Sequence, residues 1–335
     1  MLVISSEKML AHDPGPGRPE GPERLRVAVR ALERLEGVAW EEARPATVEE
    51  LSRVHDADYI AKILALRGEC VELDEDTHTS PGSVDAALLS AGAAIEAATA
   101  AVRTSGVAVS LGRPPGHHAE RAAAMGFCLF NNVAVAAAHA RAMLGCERVL
   151  VVDWDVHHGN GTEHIFEARR DVLFVSLHEF PLYPGTGAHT DVGTGDGAGF
   201  NVNVPFAAGH GDADYAHAFR EVIAKIADQF RPDLVLISAG FDGHAADPLA
   251  GMQLTEEGYA FMTDALLGVA RRHAHGRIGV VLEGGYDLDA MGKSLRATLD
   301  VLAGKRSARE LPVPTETGRA TVRDVCAVLS RYWSL

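Results

Sequence analysis

Asp153, Asp155, His157 and His158 stand together after the apolar run Val149–Val152, and a Gly-Asn-Gly turn follows them. Ionisable side chains at the end of a buried strand are costly to bury unless something pairs with them. Aspartate and neutral histidine are ligands for zinc and similar divalent ions. The segment therefore predicts a metal site. The alternative is a polar strand end whose hydrogen bonds are all satisfied within the protein.

Three further polar clusters stand at the ends of other apolar runs. In a parallel sheet the carboxyl ends of the strands meet at one edge, where ligands bind in open α/β folds. We therefore expect the clusters to assemble a single site with the first segment. They are Gly116-His117-His118, Ser238-Ala239-Gly240-Phe241-Asp242 and Glu283-Gly284-Gly285-Tyr286.

Three of these residues are predicted to bind the metal. Asp155 and His157 supply two ligands, and Asp242 supplies the third. Three protein ligands leave a fourth position for water, which is typical of catalytic rather than structural zinc sites. The pattern therefore favours metal-assisted hydrolysis.

The remaining polar residues suit proton transfer and oxyanion stabilisation. Neutral His117 and His118 can accept and return protons near pH 7, although one of them could instead be an ordinary core histidine. Asp153 is the candidate that orients one imidazole, and Asn160 the candidate that orients the other. Tyr286 can donate a hydrogen bond to a carbonyl oxygen or an oxyanion. Its alternative interpretation is a packed aromatic residue after a Gly-Gly turn.

Alternating apolar strands and helical patterns must position these clusters. This alternation predicts one α/β domain over residues 1–335, with a parallel sheet covered on both faces, a core at about 18–300 and a less regular tail at about 304–335. Strands are predicted at Leu2–Ser5, Gly106–Leu111, Val149–Val152, Val172–Leu177, Asn201–Val204, Leu234–Ser238 and Ile278–Leu282. Helices are predicted from Pro22 onward and at Val48–Leu51, Ala57–Leu66, Ser83–Val102, Val133–Leu144, Glu163–Arg169, Asp214–Phe230 and Thr255–Arg272.

Composition narrows the class of protein. The 335 residues are 47% hydrophobic and 23% charged, and the net charge of −15 argues against direct nucleic-acid binding. The four cysteines form no Cys-x-x-Cys pair, so we expect buried thiols in a reducing compartment. We see no signal peptide and no apolar run of the roughly 18 residues that span a bilayer. We therefore expect a cytoplasmic protein with no membrane partner.

The motifs resemble the zinc-dependent histone deacetylase family, which includes bacterial histone deacetylase-like amidohydrolases and acetylpolyamine amidohydrolases. The resemblance runs from about Arg18 to Asp300. Asn160 stands where several class I members have Asp, which is similar to the class II and bacterial branch. The matching motifs are Arg113-Pro114-Pro115-Gly116-His117-His118, Gly126-Phe127-Cys128-Leu129-Phe130-Asn131-Asn132, the segment Asp153–Thr162, Ser238–Asp242 and Glu283–Tyr286.

This resemblance implies an arginase/deacetylase α/β fold with a central parallel sheet of about eight strands flanked by helices. It implies one zinc ion held by the three predicted ligands. It further implies that His118 acts as general base and acid. His117, held by Asp153, would be an electrostatic partner, and Tyr286 would polarise the acetyl carbonyl.

The resemblance also implies a substrate tunnel and structural potassium. Phe127 and Tyr183 match the aromatic residues that line the family's acyl-lysine tunnel, beside Gly126. Leu249 stands where one group of polyamine deacetylases has a gatekeeping Glu, which puts that selectivity in doubt. We expect the acidic loop 72–80 to be solvated rather than to contact substrate. The potassium ligands implied are Asp153, Asp155, His157, Ser176 and Leu177.

Together these features predict a zinc-dependent amidohydrolase that removes acetyl groups from acetyl-lysine in peptides or proteins, or from acetylpolyamines. One alternative is an arginase-like ureohydrolase with two manganese ions. The other is a non-catalytic protein that binds acetylated ligands. Because some bacterial relatives close the tunnel mouth through a dimer, a homo-oligomer is left open.

Overall fold

The apolar runs of the chain form one parallel sheet. The computed structural model describes residues 1–33 and 35–335. The strands are β1 (Leu2–Ser5), β2 (Ala39–Glu42), β3 (Val107–Ser110), β4 (Val149–Asp153), β5 (Val172–Glu179), β6 (Asn201–Phe206), β7 (Leu234–Ala239) and β8 (Ile278–Leu282). Their order in the eight-stranded sheet is β2-β1-β3-β8-β7-β4-β5-β6, and every pairing between neighbours is parallel. The predicted fold class is confirmed.

Burial explains why the central strands are recognisable in the sequence. Every residue of β4, β5, β7 and β8 is buried, because helices cover both faces of the sheet and favour unbroken Val, Ile and Leu runs. β2 was not predicted, and it differs from these strands because it lies at the sheet edge with all four residues exposed. Its charges at Glu41 and Glu42 suit an edge that must not pair with another chain.

The helices connect successive strands and close the two faces. α4 packs on α5 and on the sheet, whereas α10 packs on α1 and α9. Their bounds are α1 (Glu23–Leu32), α2 (Val48–Leu51), α3 (Ala57–Ala65), α4 (Ser83–Thr104), α5 (Asn132–Met143), α6 (Asn160–Phe166), α7 (Asp212–Ala218), α8 (Ala224–Phe230), α9 (Glu256–His273), α10 (Leu288–Leu302) and α11 (Glu316–Leu329). Short 3₁₀ turns cover Glu7–Ala11 and Gly195–Gly197.

Two helices differ from their predicted form. α6 begins at Asn160 rather than Glu163, because the Gly-Asn-Gly segment taken for a turn is itself the first helical turn. A π-helical turn at Phe219–Ile223 joins α7 to α8, so one wider turn interrupts the predicted helix Asp214–Phe230.

The expectation of a less regular C-terminal tail is wrong over α11. Thr315 caps this helix by accepting a hydrogen bond from the Gly318 amide at 2.9 Å. Val322, Val325 and Leu329 are buried and pack against the rest of the core. The signal for this helix is present in the sequence, because Val322, Val325 and Leu329 recur at helical spacing after a Thr that can cap a helix.

α4 corrects one expectation about membranes. This helix is long and apolar enough to cross a membrane by length and composition, although no such stretch was expected. In the fold, 83% of its most apolar window is buried. That burial is typical of a core helix, and Ala-rich positions allow its close packing on α5.

Gly92 is one place where this packing leaves no room for a side chain. A methyl group there would overlap the carbonyl oxygen of Arg44, in the segment that crosses α4. We expect Gly92→Ala to lower the free energy of unfolding by about 1–3 kcal/mol, as overpacked cores do. Gly268→Ala in α9 is the matched control, because its methyl group meets the flexible end of Arg272. Gly268→Ala should raise the free energy of unfolding by up to ~1 kcal/mol. Urea unfolding measures both, and equal stability of Gly92→Ala and wild type would contradict this packing.

Candidate active site

The candidate site lies where five neighbouring strands end. The loops that follow β3, β8, β7, β4 and β5 converge at the carboxyl edge of the sheet, as expected for a ligand site in a parallel fold. A cavity of about 480 Å³ opens there. It is lined by Pro16, Gly17, Arg18, Pro19, Asp76, His118, Gly126, Phe127, His157, Leu182, Tyr183, Leu249 and Tyr286.

The three predicted metal ligands form one buried cluster at the bottom of this cavity. Donor atoms of Asp155, His157 and Asp242 all lie within 4.8 Å of one another. His157 Nδ1 is 3.1 Å from Asp155 Oδ1 and 3.2 Å from Asp242 Oδ2. These separations suit ligands at about 2 Å from one tetrahedral ion. The cluster therefore fits a divalent cation bound by one nitrogen and two carboxylates.

Backbone amides hold the two carboxylates in place. Gly284 donates its amide proton to Asp155 Oδ2 at 2.8 Å, and Val156 donates to Asp242 Oδ1 at 2.9 Å. A side chain at position 284 would overlap both carboxylates, so glycine is required for this close approach. Asp242 Oδ2 is left facing His157 and the open side of the cluster.

The charges in the cluster also favour a cation. Burial and the neighbouring Asp155 raise the pKa of Asp242 to about 7. Burial lowers the pKa of His157, but hydrogen bonds to Asp155 and Asp242 outweigh it and raise that pKa to about 10. The protein alone thus keeps protons among these ligands near pH 7. A divalent cation can replace those protons, since metal ligands bind in their deprotonated forms.

The two adjacent histidines have different hydrogen-bond partners. His117 Nδ1 lies 3.0 Å from Asp153 Oδ2, whereas His118 Nδ1 lies 2.7 Å from Asn160 Oδ1. Burial lowers the pKa of both groups, but Asp155 and Asp153 raise that of His117 to about 10. The pKa of His118 lies well below 6.5, because burial and the charges of His117 and His157 act in the same direction. The pair therefore combines a cationic and a neutral imidazole.

Tyr286 is fixed by two residues that were not singled out as site residues. Asp247 Oδ2 accepts the Tyr286 amide proton at 2.7 Å. Arg24 donates to the Gly285 carbonyl at 2.7 Å, and its guanidinium lies 5.0 Å from the Tyr286 ring centre. Burial raises the pKa of the phenol well above 10, so its hydroxyl remains a hydrogen-bond donor. Asp247 and Arg24 were missed because single charged residues in a loop and on a helix carry no distinctive pattern.

Glu283 links three of the converging loops. Its Oε2 atom accepts the amide protons of Gly116 at 2.6 Å and His117 at 3.2 Å, and its Oε1 atom accepts from the Ser238 hydroxyl at 3.2 Å. Burial and the charge of Asp153 raise its pKa to about 7, against the lowering effect of His117. The sequence placed Glu283 at a strand end, which was the available signal for this role.

The predicted tunnel residues line the cavity wall. Phe127 adopts φ = 69°, and its ring lies 5.8 Å from that of Tyr286. The Tyr183 ring meets His118 edge-on at 5.1 Å, and Tyr183 is 36% exposed at the rim. Gly126 and Leu249 complete this wall.

The acidic loop reaches further into the site than expected. Asp76 lines the cavity mouth, and buried Thr77 accepts the Phe127 amide proton at 3.1 Å. Asp74 accepts the amide protons of both Asp76 and Thr77, which fixes this turn. The expectation that the whole loop is solvated is therefore wrong for its last part, because Thr77 supports the tunnel wall.

The remaining predicted residues lie beside the site. Ser176 pairs in register with Asp153 across β4 and β5, and Leu177 follows it. The Ser176 hydroxyl lies 2.9 Å from His178 Nδ1. His158 points away from the metal ligands, with Nε2 at 3.1 Å from Glu163 and Nδ1 at 2.8 Å from the Thr186 hydroxyl.

Comparisons with known proteins agree with this architecture. A family model described as "Histone deacetylase domain" matches residues 18–302. The crystal structure of the HDA15 HD domain superposes with a TM-score of 0.93 at 39% identity, covering 99% of this chain and 94% of that one.

Two relatives show how far the similarity extends. Histone deacetylase 15 of Arabidopsis thaliana is 41% identical over 345 residues, covering 98% of this chain, which spans 61% of that protein's length. The histone deacetylase-like amidohydrolase of Pseudomonas aeruginosa is 44% identical over 274 residues, covering 81% of this chain and 72% of that protein. The chain therefore belongs to the histone deacetylase family, as a class II-like member with the arginase/deacetylase fold.

Proposed function

We propose that this protein is a zinc-dependent deacetylase that hydrolyses the acetamide of acetylated primary amines. The observation that carries the proposal is one cavity that holds a three-ligand cluster, two differently partnered histidines and a phenol. Each of these groups has a distinct task in amide hydrolysis, and the apolar wall of Phe127, Leu182 and Leu249 suits the chain of an acylated amine. The family membership is consistent with this reaction.

Asp155, His157 and Asp242 are the residues that would hold the ion. Two oxygens and one nitrogen are a donor set that zinc accepts in catalytic sites. When bound, zinc polarises the carbonyl of the substrate and lowers the pKa of the attacking water. Among the residues that the structure describes, this is the single group of at least three His, Cys, Asp or Glu side chains spaced for a metal. That favours one catalytic ion over the two of an arginase-like ureohydrolase.

The protein's own groups move the protons. His118 Nδ1 lies 2.7 Å from Asn160 Oδ1, which can only accept, so we assign the proton to Nδ1. The Nε2 lone pair is then free to take a proton from the attacking water. The same Nε2 then gives that proton to the amine nitrogen as the carbon–nitrogen bond breaks, releasing acetate and the free amine. His117, paired with Asp153, supplies fixed positive charge beside the developing oxyanion. The Tyr286 hydroxyl donates a hydrogen bond to that oxyanion.

The cavity mouth bears on the choice of substrate. The net charge of −15 favours cationic acetylated amines, which include both basic acetyl-lysine peptides and acetylpolyamines, whereas Asp76 and Arg18 balance each other in the cavity lining. Leu249 occupies the position where one group of polyamine deacetylases has a gatekeeping Glu, so Asp76 is the one carboxylate among the lining residues that the structure describes. We therefore favour acetyl-lysine, with structural potassium beside Asp153 and Ser176 as part of the same proposal.

Metal removal is the first test. We expect a chelator to abolish hydrolysis of a fluorogenic acetyl-lysine peptide, and added zinc to restore it at one ion per chain. Asp242→Ala should lose the ion, because a ligand and its charge disappear together. Metal analysis by mass spectrometry gives the stoichiometry independently of activity. Failure of zinc, iron and every other divalent ion to restore hydrolysis would contradict the proposal, and two ions per chain would favour the ureohydrolase.

The second test isolates the phenol. Tyr286→Phe should lower kcat by about 100-fold or more, because one oxyanion donor is lost. Bound zinc should stay at the wild-type level. Tyr332→Phe is a matched control, since it removes the hydroxyl of an exposed tyrosine outside the cavity. A Tyr286→Phe variant with wild-type turnover would exclude this role for the hydroxyl.

The third test concerns substrate class. We expect kcat/KM for an acetyl-lysine peptide to exceed that for N-acetylputrescine, because Leu249 replaces the gatekeeping Glu and Arg18 offsets the charge of Asp76. Introducing the carboxylate with Leu249→Glu should raise kcat/KM for N-acetylputrescine relative to that for the acetyl-lysine peptide. A wild-type preference for N-acetylputrescine would assign the enzyme to polyamines instead.

A further inference from the structure

A hydrogen-bonded chain continues outward from His118 beyond Asn160. Asn160 Nδ2 donates to Glu120 Oε1 at 2.6 Å, and the same oxygen lies 2.8 Å from His164 Nδ1. The Glu120 side chain is 21% exposed, whereas that of His164 is 45% exposed. The chain therefore runs from the buried imidazole to the protein surface through one amide and one carboxylate.

An amide is an ambiguous partner for a histidine. Asn160 can present either its oxygen, which accepts a proton from His118 Nδ1, or its NH₂ group, which requires a lone pair on that nitrogen. Only the first arrangement leaves the Nε2 lone pair of neutral His118 available to the substrate. A carboxylate such as that of Asp153 has no such ambiguity, because both of its oxygens accept. The orientation of the Asn160 amide must therefore be set by a group other than His118.

Glu120 is placed to set that orientation. Its carboxylate only accepts, so it selects the arrangement in which the Asn160 NH₂ group points outward. The sulfur of Met125, 3.4 Å from the same nitrogen, is a second acceptor on that side. A reversed amide would direct its oxygen at a carboxylate oxygen at 2.6 Å, which is repulsive.

The backbone of Glu120 is anchored independently of its side chain. Its carbonyl accepts from His55 Nδ1 at 2.9 Å, and its amide donates to the Ala123 carbonyl at 2.9 Å. His55 Nε2 in turn accepts the Asn131 amide proton at 2.9 Å. The side chain is thus available for a role beyond holding the loop.

We propose that Glu120 is a positioning residue for the general base, which acts through Asn160 to keep the His118 proton on Nδ1. This inference rests on the proposed function, since it assigns a partner to the same proton-transfer group.

Exchanging the carboxylate at position 120 and the amide at position 160 tests the proposal. Glu120→Gln can present either end of its own amide, so Asn160 is no longer locked. We expect kcat to fall about 10- to 100-fold with KM unchanged, the usual loss for an outer partner of a site residue. The kcat of Asn160→Asp alone should also fall, because two carboxylates then face each other at hydrogen-bond distance.

The double variant Glu120→Gln/Asn160→Asp should recover kcat to within about fivefold of wild type. In this variant the Gln amide donates to Asp, and Asp accepts from His118 Nδ1 without ambiguity. Such recovery requires a strong coupling between the two positions. A purely structural role for Glu120 predicts losses that simply multiply, and that result would overturn the proposal.

Three controls separate a loss of Asn160 positioning from a loss of zinc or of the fold. Arg121→Gln, at an exposed position on the same loop, should leave kcat unchanged. A metal content and a melting temperature equal to those of wild type would exclude loss of zinc and loss of the fold in each variant. Inactivity of zinc-loaded wild type would refute the proposed function itself, whereas an active wild type with an equally active Glu120→Gln variant would refute this inference alone.

A spectroscopic readout does not depend on the double variant. Histidine ¹⁵N signals of the zinc-loaded protein should show His118 protonated at Nδ1 alone in wild type, with assignment by comparison with His118→Gln. Glu120→Gln should show both tautomers. A single unchanged tautomer in Glu120→Gln would overturn the proposal.

Discussion

The burial of Asp155 and Asp242 together is the constraint that shapes the rest of the site. Two carboxylates in a dry pocket are unfavourable unless positive charge and hydrogen-bond donors surround them. The fold supplies amide protons from Val156 and Gly284 and brings His157 between the two groups. What remains is an open side where a divalent cation could bind. The parallel sheet makes this possible, because it brings the ends of β4, β7 and β8 to one edge.

The same negative charge separates the roles of the neighbouring histidines. Asp153 and Asp155 raise the pKa of His117, and the resulting cation helps to lower that of His118. The pKa values of two identical adjacent residues are thus shifted in opposite directions by their different surroundings. Glu283 holds the backbone of this pair against β8, so the charge pattern and the loop geometry depend on one another.

Much of this arrangement is predictable from sequence because it depends on residue order. Unbroken apolar runs mark the buried strands, and the polar clusters that follow them mark the site, so the parallel sheet and its site edge were inferred correctly. Edge strand β2 was missed because its exposed residues leave no apolar pattern. Helix α11 was missed although its buried residues recur at helical spacing, so its pattern was present in the sequence. Arg24 and Asp247 were missed for another reason. Their contacts with the Tyr286 turn join distant parts of the chain, and local spacing carries no record of such pairs.

The position of β8 has a consequence for how the protein is made. This strand is the last of the sheet in sequence, yet it lies in the middle, between β3 and β7. Until it emerges from the ribosome, the growing chain can form only two separate half-sheets. One half carries His117 and His118 after β3, and the other carries the carboxylates after β4 and β7. The edges of β3 and β7 are unpaired at that stage, and unpaired strand edges favour association with other chains. Synthesis of β8 lets the two edges join and brings the histidine pair beside the carboxylates.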